Sequence, residues 1–290
     1  MEAMHTKVKI GFIGQGWIGK NYADHYEDRG FVVVRYSLDQ EYIGNKDRIA
    51  ECDYVFIAVP TPTTTKGFDD SIVRDAVSVV GDGKVAIIKS TIPPGTTRKL
   101  CAQYPNKFIV HSPEFLRESS VRYDVDHPDR VIVGIPEETP EYRKIAEEII
   151  RIHPKTEYAK IVPVEEAEFL KYTHNTLGYA TIVFANILYD LSQVYGIEWQ
   201  TVKDFILNNP WFPEKYIDPV HKSGRGAGGN CFIKDFAAFH EMYARELKGD
   251  TVGIELLEAF VRKNKDLLCT SGKDINILRG VYGDEENAGV

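Results

Sequence analysis

Over the first 160 or so positions, hydrophobic residues fall in short, nearly continuous runs: Lys7–Ile13, Phe31–Tyr36, Asp53–Val59, Val85–Ile88, Phe108–Val110 and Arg130–Gly134. Runs of this length, bounded by glycine, proline or polar turn residues, predict strands covered on both faces, as in a parallel sheet. Longer amphipathic stretches lie between them and predict helices, from the glycines after Ile13 to about Glu27, over Asp70–Val80 and over Pro140–Ile152. With a last strand ending near Ile161, the alternation gives an open, mostly parallel α/β sheet. At Val164 the pattern changes. One helical run, broken by no proline and carrying a single glycine at Gly178, extends to about Tyr195. Helices follow at about Glu198–Leu207, Phe232–Leu247 and Val252–Leu268, then an apolar patch, Ile275–Leu278, and a polar tail from Gly283 that should fray. The domains read from this pattern are an α/β domain over 1–162, an all-α domain with one long central helix over 163–270, and a tail over 271–290.

Composition narrows the function classes. A chain of 290 residues with 43% hydrophobic residues has material for two cores, and a net charge of -8 argues against a general nucleic-acid or anionic-membrane binder. No apolar run approaches the roughly 18 residues needed to span a bilayer, and the start, Met1–Lys7, has no apolar signal core, so the expected compartment is cytoplasmic. Cys52, Cys101, Cys231 and Cys269 are far apart with no CxxC pair, which suggests neither a disulfide framework nor a metal site.

The candidate chemistry sits at strand ends and helix starts. Gly14-Gln15-Gly16-Trp17-Ile18-Gly19 directly follows the first strand and opens a helix, the context in which GxGxxG binds the pyrophosphate of a dinucleotide in a Rossmann-like domain. At the end of the second strand, Ser37 stands where an acidic residue reading the adenosine ribose is expected, Asp39 follows two residues later, and Arg35 could attract a phosphate. NAD is favoured over NADP on this pattern. Val59-Pro60-Thr61-Pro62, Ser90-Thr91 and Glu114 to Glu118 also lie at strand ends. If the last of these is helical, Glu114 and Glu118 are one turn apart and share a crevice; otherwise they form a solvated surface pair. Lys171 and Asn175, four apart on the long helix, share a face. Gly224, Gly226, Gly228 and Gly229 leave little side chain beside Cys231. A helix opening there, with Lys234 near, would favour the thiolate; the other reading is a buried, inert thiol in a glycine-rich loop.

Taken together, GQGWIG, VPTP (Val59 to Pro62), STIPPGT (Ser90 to Thr96), PEFLRE (Pro113 to Glu118), KYTHN (Lys171 to Asn175) and GAGGNCFIKD (Gly226 to Asp235) resemble the UDP-glucose/GDP-mannose dehydrogenase family, over nearly the whole chain. The resemblance implies oxidation of a nucleotide sugar's primary alcohol to a carboxylate in two NAD-dependent steps through a thioester. It makes Cys231 the nucleophile and gives Lys171 and Asn175 the oxyanion. Asp235 would orient water and Lys171, and Glu114 would be the base for hydrolysis. Thr91 would lie by the nicotinamide, and Glu118 and Lys234 on the cofactor side, with Gln15, Trp17, Ile18, Val59, Pro60, Thr61 and Ser90 lining the cofactor. Phe115, Leu116, Arg117 and Gly228 would meet the substrate, and the long helix implies a homodimer.

This sequence also departs from the family pattern. Members continue into a third, nucleotide-binding domain, and Lys273–Leu278 resembles only its linker and opening strand, so a truncated or reduced form is expected. The segment between Asp39 and Asp53 is short, Ala227 replaces an aromatic and Ile233 a proline. Two alternatives therefore stand beside the dehydrogenase reading: a non-catalytic dinucleotide-binding or assembly subunit, and a dehydrogenase of a smaller hydroxy acid or sugar phosphate.

Overall fold

The computed structural model describes residues 8–211 and 215–283; Met1–Lys7 and the tail beyond Gly283 lie outside them. The chain divides into two compact units. Residues up to Thr61 and Asp70–Lys171 form the first, and Pro62–Asp69 with the residues from Tyr172 onward form the second. This division falls inside the long helix, and it assigns eight residues between the third strand and the next helix to the second unit.

The first unit is built on seven strands: β1 (Lys9–Ile13), β2 (Val32–Tyr36), β3 (Tyr54–Ile57), β4 (Val85–Ile88), β5 (Phe108–His111), β6 (Arg130–Ile135) and β7 (Tyr158–Pro163). They lie in the order β2-β1-β3-β4-β5-β6-β7, parallel throughout except where β5 meets β6 at His111 and Gly134. Central strands are buried on both faces, which is why their sequences read as unbroken apolar runs: Tyr54–Ile57 and Val85–Ile88 are buried at every position. Helices α1 (Trp17–Asp28), α2 (Ser71–Val79), α3 (Thr96–Gln103) and α4 (Pro140–Ile152) connect them. Helix α4 begins as its sequence suggests, with Pro140 at the first turn and the Thr139 hydroxyl accepting from the Tyr142 amide. On one face the core gathers Phe12, Tyr26, Phe31 and Phe56, with Phe12 and Phe56 stacked at 5.1 Å. Each such ring contributes roughly 1.5–3 kcal/mol through burial.

In the second unit, α5 (Val164–Val194, 31 residues) continues from Tyr172 and is joined by α6 (Trp199–Leu207), α7 (Gly229–Glu246), α8 (Thr251–Ser271) and α9 (Ile275–Tyr282). Tyr179 of α5 stacks on Phe236 of α7 at 3.9 Å. The lone glycine of the long helix has a packing reason: a Cβ at Gly178 would lie 3.0 Å from the Phe232 ring. Two short antiparallel ribbons complete the unit, Thr63–Thr64 with Gly67–Phe68 and Val220–His221 with Gly224–Arg225.

The structure corrects the expected opening strand at Lys273–Leu278. Ile275–Tyr282 is a helix, and its Leu278 and Val281 are buried with Ile233, Ala237 and Leu268. Ile275, Leu278 and Tyr282 recur at three and four residues, the helical period, and this outweighs the β-propensity of the short isoleucine-rich patch. Among the described residues no helix is long and apolar enough to cross a membrane.

Candidate active site

In the first unit, the three motif glycines after β1 are each constrained differently. Gly14 has φ +91°, and a Cβ there would sit 2.2 Å from the Ala58 carbonyl oxygen, so only glycine makes this turn. At Gly19 a Cβ would fall 1.9 Å from the Gly14 carbonyl oxygen, which fixes how closely α1 returns to β1. Gly16, by contrast, meets nothing within 4 Å, and as the N-cap of α1 it puts no side chain over the helix's first turn. A bare approach onto the start of a helix suits a pyrophosphate. Gln15 turns its amide onto the Gly14 carbonyl at 3.2 Å.

The Gly14 amide donates to the Tyr36 carbonyl at 2.9 Å, which sets the end of β2 beside this turn. Ser37 and Asp39 follow directly, and the Ser37 hydroxyl donates to Asp39 Oδ2 at 2.7 Å. Arg35 is already engaged, pairing with Glu27 at 2.6 Å and Asp24 at 2.7 Å. Beyond β3, the segment Val59-Pro60-Thr61 is clamped from β4: Ser90 Oγ accepts from the Val59 amide at 3.0 Å and donates to the Val59 carbonyl at 2.8 Å. Thr91 is buried next to it. The following turn is capped from α5, where the Glu168 carboxylate accepts from the amides of Gly95 at 2.6 Å and Thr97 at 2.8 Å.

Glu114 and Glu118 do not share a helical face. Residues 112–117 are not helical, so Glu114 turns inward while Glu118 is exposed at the start of a short 3-10 turn. Pro113, which has no amide hydrogen, is among the reasons the segment stays open. Glu114, 4% exposed, pairs with Lys171 Nζ at 2.9 Å and accepts from the Leu116 amide at 2.7 Å. Lys171 Nζ also lies 5.7 Å from the Phe115 ring. Arg117 is tied to Asp124 at 2.5 Å.

Beneath these loops is a buried group that the sequence reading passed over. Lys89, directly after β4, is 3% exposed; its Nζ meets Ser112 Oγ at 3.2 Å, His153 Nε2 at 3.5 Å and the Tyr22 ring at 4.8 Å. Burial pushes this lysine down to about 7 and neighbouring His111 down to about 3. His153 Nδ1 lies 2.8 Å from the Ile149 carbonyl, so Nδ1 carries the hydrogen and Nε2 accepts from Lys89. A charged residue ending an otherwise apolar strand was the available signal.

In the second unit, α7 opens at Gly229 and puts Cys231, a partly exposed thiol, in its first turn. Lys234 and Asp235 follow on the same helix. Asp235 is 1% exposed and is held from two sides, by the Asn175 amide at 2.6 Å and the Lys234 ammonium at 2.5 Å. The glycine stretch before Cys231 is gripped from α8 and the residues after it. Ala227 and Asn264 exchange two hydrogen bonds, 2.7 and 3.0 Å, and Lys273 Nζ donates to the Gly226 carbonyl at 2.8 Å. Asp274 Oδ2 accepts from the Gly229 amide at 2.7 Å, capping α7. Glycine is required where these groups close in: a Cβ at Gly228 would lie 2.1 Å from Asp274 Oδ2. Bareness here serves the packing of the loop, and Asn264, Lys273 and Asp274 are site-supporting residues absent from the motif reading. Electrostatic help to the thiol is also less than the sequence suggests, because Lys234 is paired with Asp235 and Asp274 offsets the positive helix end.

Comparisons with known proteins identify the two domains. The NAD binding domain of the UDP-glucose/GDP-mannose dehydrogenase family matches residues 44–153, and the family's central domain matches residues 165–266. A Bacillus subtilis protein carrying the provisional name UDP-glucose 6-dehydrogenase is 32% identical over 218 residues, 71% of this chain and 49% of that protein. A UDP-glucose 6-dehydrogenase of Streptococcus pneumoniae is 27% identical over 89% of this chain and 73% of its own length. The solved UDP-glucose dehydrogenase of Pyrobaculum islandicum superposes with a TM-score of 0.75 at 23% identity, over 90% of this chain and 69% of that one, a likeness of fold. The chain thus spans about half the length of the first of these relatives and about three quarters of the second. The glycine turn after β1 lies ahead of the matched range, and its open approach at Gly16 fits the NAD that the matched domain binds. On the two consecutive domain matches, the chain belongs to the UDP-glucose/GDP-mannose dehydrogenase family.

Proposed function

We propose that this chain oxidises the primary alcohol of a nucleotide sugar to a carboxylate in two steps, with Cys231 holding the carbon between them. The observation that carries the reading is Cys231 in the first turn of an 18-residue helix, one turn ahead of a buried Asp235 held by Asn175 and Lys234. NAD, when bound, takes up the hydride released in each oxidation. The first oxidation gives an aldehyde. Cys231 Sγ then adds to the carbonyl carbon, a C–S bond forms, and the charge moves to oxygen, where the Lys171 ammonium and the Asn175 amide donate to it. Loss of the second hydride restores the carbonyl as a thioester. Water, deprotonated by Glu114 and oriented by Asp235, adds to that carbon; the C–S bond breaks, and thiolate and carboxylate result. Each sugar therefore consumes one water and two hydride acceptors.

The substrate class is taken from relatives named UDP-glucose 6-dehydrogenase. Assembly is read from α5, where Leu177, Phe184, Ile187, Leu188, Leu191 and Val194 are exposed at spacings of three, four and seven residues. An apolar stripe of that period on a long helix suits a second copy of the same helix, and a homodimer follows.

The test is NADH formation with UDP-glucose, UDP-N-acetylmannosamine and GDP-mannose, run beside Cys231→Ser. Two NADH per sugar, lost in the serine variant, are expected. A chain that binds NADH but oxidises none of the sugars is instead a dinucleotide-binding subunit.

A further inference from the structure

We infer that Lys89 is a positioning residue for Glu114: through the Ser112 hydroxyl, its buried ammonium fixes the segment from which the Glu114 carboxylate is presented. The inference rests on the hydrolytic step proposed above, in which a proton of water passes to Glu114, a C–O bond forms and the C–S bond breaks. The pairing of β4 with β5 ends where the Ser112 amide donates to the Ile88 carbonyl at 2.9 Å. Beyond that rung the chain leaves the sheet, and Glu114 lies two residues on. Ser112 is held a second time, by its side chain, where Oγ accepts from Lys89 Nζ at 3.2 Å. The ring of Pro113 fixes its φ, so the direction set at Ser112 reaches Glu114 across one stiff residue. The Leu116 amide at 2.7 Å and Lys171 Nζ at 2.9 Å then receive the carboxylate. Neither ring nitrogen of His111 bonds to a described residue, so of the polar side chains where β5 ends it is Ser112 that is anchored, and Lys89 anchors it.

An ammonium is a costly anchor for a serine. Lys89, Ser112 and Glu114 are all buried, and a buried cation is less favourable than an apolar side chain of similar length unless an opposite charge answers it. The direct contacts of Lys89 are neutral: the Ser112 hydroxyl, His153 Nε2 at 3.5 Å, and the faces of Tyr22 at 4.8 Å and Phe56 at 5.8 Å. Tyr22 from α1, His111 from β5 and His153 from α4 are the titratable groups around it, and burial keeps each of them uncharged. The negative charge that acts on the ammonium is that of Glu114. Lys89 therefore ties Glu114 down twice, by the bond to Ser112 at the root of the segment and by attraction through the low-dielectric interior. A methionine would fill the same space and supply neither.

Rapid-quench turnover of the full chain, with NAD and whichever of the three nucleotide sugars named above it oxidises fastest, tests this. NADH is followed by absorbance and the adduct on Cys231 by intact mass. In Lys89→Met the two NADH of the first turnover are expected at the wild-type rate, followed by a steady state at least about 10-fold slower in which the thioester accumulates, since small displacements of a base are costly to rate. Ser112→Ala, which leaves the lysine in place, should show the same split, and the double variant should be no slower than the slower single one, because the two residues act through one bond. A lysine that only supported the fold would slow every step together. Thioester cleared at the wild-type rate in either single variant, or equal slowing of the first NADH and of hydrolysis, overturns the inference. Glu114→Gln separates it from the reading beneath. An adduct that accumulates there and in neither Lys89→Met nor Ser112→Ala removes the role of Lys89 alone. A Glu114→Gln chain that clears the thioester normally, or a wild-type chain that oxidises none of the sugars, removes the hydrolytic reading and the inference with it.

Discussion

Replacing Lys89 with methionine should change the stability of this protein in a way that depends on pH. The ammonium is 3% exposed and has one hydroxyl, one imidazole nitrogen and two aromatic faces around it. Burial therefore takes its pKa from 10.5 down to about 7. A base whose folded pKa is depressed binds fewer protons folded than unfolded between those two values, so stability rises with pH across that window and is lost as pH falls toward 7. At about 1.4 kcal/mol per pKa unit, this one group costs about 4 kcal/mol at pH 7 and about 2 kcal/mol at pH 9. Lys89→Met keeps the length and volume of the stem and removes the titration. Of the other titratable groups acting on this interior, His111 and His153 are held down by burial and stay neutral over the range, and the pull of Glu114 toward the charged lysine is already contained in the value of about 7. Glu168 and the surface groups are common to both proteins and cancel. Urea unfolding at 25 °C, followed by circular dichroism from pH 7 to 9, should show the methionine variant ahead at pH 7 and its advantage shrinking by about 2 kcal/mol at pH 9. A difference that stays constant within about 0.5 kcal/mol across that range would falsify the argument, because the lysine would then be titrating as it does in water.

Three other outcomes follow from geometry. Gly16→Ala should leave the melting temperature unchanged and weaken NADH binding about 10-fold or more, whereas Gly19→Ala, with its Cβ against the Gly14 carbonyl, should cost about 3 kcal/mol and lower Tm by roughly 6–10 °C. Timed iodoacetamide labelling read by mass spectrometry should modify Cys231 at least about 10-fold faster than buried Cys52, whose thiol burial pushes up to about 11, or Cys101, also pushed up by burial. Exposed Cys269 is the reference for activation: a faster Cys231 shows that its place in the first turn of α7 outweighs the Lys234–Asp235 pair and Asp274, and a rate equal to or below that of Cys269 counts against thiolate activation. Phe184→Glu with Leu191→Glu should convert a dimer to a monomer in light scattering while leaving the Tyr179–Phe236 core intact; an unchanged mass would remove the α5 stripe as the interface.

The first unit was legible because its strands are buried on both faces, and two-sided burial writes itself as unbroken apolar runs such as Val85–Ile88. Most of the motifs stood out for a related reason, since they lie at a strand end or helix start marked by glycine or proline; Lys171 and Asn175, inside α5, offered only their four-residue spacing. What could not be read was which distant groups converge. Asn264 and Asp274 reach the cysteine loop from 37 and 45 residues away, and no periodicity links them to it. The pairing of Glu114 with Lys171 across 57 positions was likewise hidden, and the four-residue spacing to Glu118 pointed to a helical face that the chain does not form. Ile275–Tyr282 was too short a patch for propensity to decide, and burial against α7 decided it.

The Thr63–Phe68 ribbon belongs to the second unit and packs on α7 and α9, yet it is made long before them. Asp69 precedes Gly229 by 160 positions, and at a synthesis rate of about 5–20 residues per second the ribbon waits roughly 8–30 s for its first partner helix. During that interval it hangs from a sheet that can already assemble on either side of it. Its sequence, Thr-Thr-Thr-Lys-Gly-Phe, carries one large apolar residue and a charge, so the waiting segment offers little for other nascent chains to stick to. Completion of the second unit is therefore an event of late translation, and a stalled ribosome short of α7 would leave this ribbon as a loose end in an otherwise finished first unit.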